Sequence, residues 1–140
     1  MQSFLSVNGE CVTEKVIEKS RFIATSRHVD GEEEAKAFID EVRARYKDAT
    51  HNCYAYVADD KGNFLRFSDD GEPQGTAGMP ILEVIKNCNL KQTAVVVTRY
   101  FGGIKLGAGG LVRAYAGAAA ENLAATERVN YEPCVKYAYT

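Results

Sequence analysis

Five glycines occupy the nine positions from Gly102 to Gly110, and Arg99, Lys105 and Arg113 surround them. Glycine lets a backbone approach a ligand closely, while the start of a helix offers unpaired N–H groups and the positive end of a dipole. Arg99, Gly102, Gly103, Lys105, Gly107, Gly109, Gly110 and Arg113 are therefore the candidate anion- or nucleic-acid-binding residues. The same pattern equally suits a tight strand-to-helix crossover with solvated cations. Nucleotide loops of known type fit poorly. Gly102 and Gly107 have the Walker A separation, but Ala108-Gly109 stand where Lys and Ser or Thr are required. Gly107-Ala108-Gly109 opens like a dinucleotide fingerprint, yet Val112 holds its last glycine position. A nest of backbone N–H groups of no assigned type remains.

A second cluster lies in the loop Ser68-Asp69-Asp70-Gly71-Glu72-Pro73. Asp69, Asp70 and Glu72 are oxygen donors of the kind magnesium prefers, although EF-hand spacing is absent and turns select the same residues. With the glycine loop they could hold a magnesium-bound phosphate, or form an internal ion-pair cluster. His51 and Cys53 share one strand face, which raises a thiol–imidazole nucleophile. Strand neighbours point in parallel and do not converge, so a structural role with His51 bonded to a loop is the expectation. His28 has no visible partner, and no GxSxG or HExxH motif occurs. No catalytic residue is assigned.

Whatever positions these groups is one domain, since 140 residues suit a single core. A composition 46% hydrophobic and 26% charged excludes a disordered chain. The net charge of −2 gives no basic field for nucleic acid, so phosphate binding must be local. No segment is apolar enough to span a bilayer and the N-terminus lacks signal-peptide character, which gives a cytoplasmic expectation with no membrane partner. Cys11, Cys53, Cys88 and Cys134 form no CxxC and read as small buried thiols.

Residues 10 to 18 and 21 to 27 read as a hairpin broken at Lys19-Ser20. Asp30 is a good N-cap with Glu33 in capping-box position, and apolar spacing predicts a helix over about 31 to 47. A second hairpin turns at Asp60 to Asn63. After the loop 69 to 80, with Thr76 as its cap, a short helix runs from Ile81 to about Asn89. Ala94 to Thr98 reads as an interior strand covered on both faces, followed by an alanine-rich helix over about 108 to 125. The order implies an α+β, or mixed α/β, sandwich with helices on one sheet face.

Beyond these readings the chain resembles the IMPACT/YigZ family. Gly78, Ile81, Leu82, Ile85 and Leu90, followed by the ungapped block Val96 to Gly107, fit its signature. Lys19 to Ala24, His51 to Tyr56 and Asp70 to Gly78 also look like family blocks. The resemblance implies a left-handed βαβ fold shared with a ribosomal small-subunit protein, elongation factor G domain four and the GHMP kinases. It implies an N-terminal domain over 1–128, with 129–140 a linker or the first strand of an absent ferredoxin-like domain, so that the chain is a fragment or short form. Eukaryotic members are similar to translation regulators, and bacterial ones are linked with nucleic acid or the translation apparatus. The function expected is a non-enzymatic module contacting RNA, the ribosome or a translation-regulatory protein, with no cofactor. The alternatives are a magnesium-dependent phosphate- or nucleotide-processing enzyme and a protein-interaction domain without phosphate.

Overall fold

The computed structural model describes residues 3–132. Its elements are β1 (Phe4–Val7), β2 (Glu10–Ile17), β3 (Ser20–His28), α1 (Glu32–Arg45), β4 (His51–Val57), β5 (Leu65–Ser68), α2 (Gly78–Asn87), β6 (Thr93–Tyr100), α3 (Gly107–Ala125) and β7 (Arg128–Tyr131). Five strands form an antiparallel sheet in the order β2-β3-β6-β4-β5, and β1 pairs with β7 in a two-stranded ribbon. Residues 133–140, with Cys134 and the end of the expected linker, lie outside the described residues. Among the described residues no helix is long and apolar enough to cross a membrane.

The α+β class is as expected, but the placement of all helices on one face is corrected. β3 and β4 both run antiparallel to β6, hence parallel to each other, and their connection must leave the sheet plane. α1 makes that crossover and packs Phe38, Ile39 and Val42 against Ala94 and Val96. Val95 and Val97 face the other way, under Ile81 and Ile85 of α2 and Leu111 and Tyr115 of α3. β6 is therefore buried throughout except at Tyr100, which explains its unbroken β-branched run.

Local chemistry moves several element ends. The β2–β3 turn falls on Glu18 and Lys19, at φ of 48° and 66°, and not on Lys19-Ser20, because Ser20 already pairs with Ile17. Gly31, not Asp30, is the N-cap of α1; Asp30 instead donates its N–H to Glu34 Oε1, so Glu34 replaces Glu33 as the returning carboxylate. α2 begins at Gly78, ahead of Pro80, since a proline in the first turn forfeits only an N–H that would be unpaired anyway. The ribbon strand β1 carries no alternation that sequence reading detected. Of the thiols, Cys53 is buried, while Cys11 and Cys88 are half-buried and not fully buried as expected.

Gly102 fixes the distance between the β2–β3 turn and the loop after β6. A Cβ there would lie 1.9 Å from the Lys19 carbonyl oxygen, whereas one at Gly103, at φ 91°, would meet open space. We expect Gly102→Ala to cost about 3 kcal/mol or more by overpacking, and Gly103→Ala about 1 kcal/mol from backbone strain alone. Urea unfolding midpoints of the two variants measure the difference; equal midpoints would contradict the contact.

Candidate functional site

Strand parity puts Arg99 on the face of Val95 and Val97, so its side chain enters the core beneath α3. A cation there needs a partner. Nη1 donates to Glu72 Oε2 at 2.8 Å and Nε to Ser20 Oγ at 3.3 Å. The same Glu72 oxygen accepts the Tyr115 hydroxyl at 2.5 Å, and Glu72 Oε1 faces His51 Nε2 at 3.5 Å. The Arg99 and Glu72 side chains are only 6% and 3% exposed. Burial pushes the Tyr115 phenol far above its usual range, so it is a neutral donor. One carboxylate thus gathers β4, β6, α3 and the loop after β5.

The remaining loop carboxylates act separately. Asp69 accepts the N–H groups of Gly75, Ala77 and Gly78 at 2.9, 3.1 and 2.7 Å, capping α2 from nine residues away. Thr76, expected as that cap, instead donates its hydroxyl to the Pro73 carbonyl. Asp70 Oδ2 accepts the Asn52 N–H at 2.7 Å, with Arg43 3.7 Å from Oδ1. Asp69, Asp70 and Glu72 do not converge, and among the described residues no group of three His, Cys, Asp or Glu could hold a metal ion. His51 Nδ1 lies 2.8 Å from the Asp70 carbonyl and Cys53 Sγ donates to the Asp69 carbonyl at 3.1 Å, so both reach the loop as strand geometry suggests. Burial pushes the Cys53 thiol above its ordinary range, which removes its value as a nucleophile. His28 bonds Ser6 Oγ at 2.9 Å and stacks on Tyr131.

The glycine loop has an inner and an outer side. Inside, Ser20 Oγ accepts the Gly102 N–H at 3.2 Å, while Gly103 and Gly107 adopt φ of 91° and 75°. Outside, α3 starts at Gly107 with no side-chain cap and no acidic residue in its first turn. Gly109 is exposed and Gly110 half-buried on that turn. Lys105 and Arg113 are exposed and make no salt bridge among the described residues. The three cations do not form one cluster: Arg99 lies beneath the loop, Arg113 lines a hollow with Ile17 and Ile104, and Lys105 borders both that hollow and a cleft over Arg99. Sequence reasoning missed Ser20, Tyr115 and Phe101. The parity of Arg99 with Val95 and Val97 was the available signal for a buried pair.

A family model, the Impact N-terminal domain, matches residues 18–123. The chain is 51% identical over 123 residues to IMPACT family member YvyE of Bacillus subtilis, covering 88% of this chain and 57% of that protein. It is 44% identical over 139 residues to IMPACT family member YigZ of Escherichia coli, covering 98% and 68%. A crystal structure of a hypothetical protein superposes with a TM-score of 0.90 at 44% identity, over 95% of this chain and 66% of that one. The chain therefore spans little more than half to two thirds of these relatives.

Burial pushes the Asp69 carboxyl up, but the N–H groups of Gly75, Gly78 and Ala77 together outweigh it and hold it below the ordinary 3.8. A depressed carboxyl stabilises the fold above its unfolded pKa, and that contribution is lost as pH falls through the folded value. Asp69→Ala should cost about 1 kcal/mol at neutral pH, as loss of a helix cap does. The deficit should shrink below pH 3.8 as Asp69 itself protonates. Urea titrations across this range test it, and a pH-independent deficit would contradict it.

Proposed function

The chain belongs to the Impact N-terminal domain family, and from that premise we propose that it is a binding module of the translation apparatus which contacts RNA through the glycine loop and the start of α3. The observation that carries this reading is the pairing of exposed apolar groups with unpaired cations. Phe101 and Ile104 are 46% and 38% exposed on the loop that bears Lys105, with Arg113 further along α3. Bases of a single strand stack on aromatic groups, while cations and helix-start N–H groups meet phosphates. The uncapped first turn of α3 supplies such N–H groups without a competing carboxylate. Arg99 acts from beneath, since Glu72 already matches its charge.

Magnesium-dependent phosphate processing has less support, because Asp69, Asp70 and Glu72 each serve a different internal partner. Anisotropy titrations with a labelled single-stranded RNA over a salt series test the proposal. Binding should weaken linearly on logarithmic axes, with a slope of about −0.7 per neutralised phosphate. Lys105→Glu with Arg113→Glu should reduce affinity at least tenfold and flatten the slope. Unchanged affinity in the folded double variant would refute the surface, and salt-insensitive binding of a protein partner would favour the protein-interaction alternative.

A further inference from the structure

Beside the exposed loop face lies a cleft of about 400 Å³ whose lining includes Arg99, Glu72, His51, Phe101 and Leu111. We propose that this cleft binds a small ligand joining one oxyanion group, a phosphate monoester or a carboxylate, to an apolar body.

The oxyanion requirement comes from Arg99. This residue is only 5% exposed, and two of its three nitrogens are engaged, Nε by Ser20 and Nη1 by Glu72. Among the described residues Nη2 has no acceptor. The buried side-chain atoms left without partners among the described residues are Thr25 Oγ1 and Asn122 Oδ1, so Nη2 is not among those sealed from solvent. A guanidinium with one open edge at a cleft suits a planar or tetrahedral oxyanion, which accepts from it with geometric specificity. Ser20, Glu72 and Tyr115 hold the fork before any ligand arrives, so little ordering is left to occur on binding.

The charge balance favours the same sign of ligand. Glu72 offsets Arg99 once, and Lys105 at the rim has no carboxylate partner among the described residues. Gly107 and Ala108 of the uncapped α3 start add N–H groups at the mouth. The apolar body is required by Pro73, Phe101, Leu106 and Leu111, which form most of the remaining wall. The volume falls within the range of small-molecule sites. The cleft shares Phe101, Lys105 and the start of α3 with the RNA surface, but Arg113 and Ile104 line a different hollow, so Arg113 tells the two readings apart.

The test is an amide and arginine side-chain NMR titration of the chain with phenyl phosphate, benzoate, inorganic phosphate and benzyl alcohol, with affinities from calorimetry. Phenyl phosphate or benzoate should give saturable shifts at Arg99 Nε–H, Gly107 and Ala108, and the tighter of the two names the oxyanion. Inorganic phosphate should bind at least tenfold more weakly and benzyl alcohol should give no saturable shift. Ala108→Glu places a carboxylate at an exposed first-turn position where the helix dipole favours it. That variant should fold and lose at least tenfold in affinity. Arg113→Glu should keep the small-ligand affinity within twofold whatever it does to RNA, so failure of one reading is not failure of the other. Absence of saturable shifts with both organic anions, equal response to the alcohol, or full binding by folded Ala108→Glu would overturn the proposal.

Discussion

A positive charge inside the sheet–helix core is the constraint around which this domain is arranged. Arg99 has the parity of Val95 and Val97 on a strand covered on both faces, so it cannot turn to solvent without moving β6. An unpaired guanidinium there would be prohibitive, and Glu72 is delivered to it by the loop after β5. Tyr115 then satisfies the same carboxylate from α3. Three segments far apart in sequence meet at a single carboxylate oxygen, Glu72 Oε2.

The second layer of that arrangement is backbone. Ser20, buried at the start of β3, accepts from both Arg99 and the Gly102 N–H, which links the buried charge to the outer loop. Gly102 must be glycine because the Lys19 carbonyl lies where its side chain would begin. Gly103 and Gly107 carry the chain through left-handed conformations so that α3 can start over the cleft. The glycines therefore divide between close approach and turning. Gly110, by contrast, sits where a Cβ would press to 3.1 Å from that of Leu106, and Gly109 where it would meet the Arg113 guanidinium at 3.4 Å.

Much of this was legible from sequence where periodicity is strong. The hairpin of β2 and β3, the amphipathic α1 and the buried run of β6 all follow from apolar spacing. The side of the sheet that α1 covers did not, because it depends on β6 inserting between β3 and β4, a pairing of distant segments. The start of α2 was hidden for a related reason: its cap is Asp69, nine residues before Gly78, where no local capping rule looks. At the site, the glycine loop and its cations stood out, but their equivalence was an artefact of proximity in sequence. Arg99 is a buried structural charge and Lys105 and Arg113 are surface groups. The three loop acids were likewise similar in sequence and different in role, since tertiary partners decide which acid caps, which pairs and which accepts from a strand.

The coupling between Arg99 and Glu72 tests the account most directly. It is measured by a double-mutant cycle of Arg99→Met and Glu72→Gln, with unfolding free energies from urea titration. Breaking the pair from either side should cost about 3–5 kcal/mol. Removing both should cost far less than the sum, with a coupling of about 2–3 kcal/mol. Single losses that add to within about 0.5 kcal/mol would show that the two charges stand independently, and would contradict the claim that this pair organises the domain.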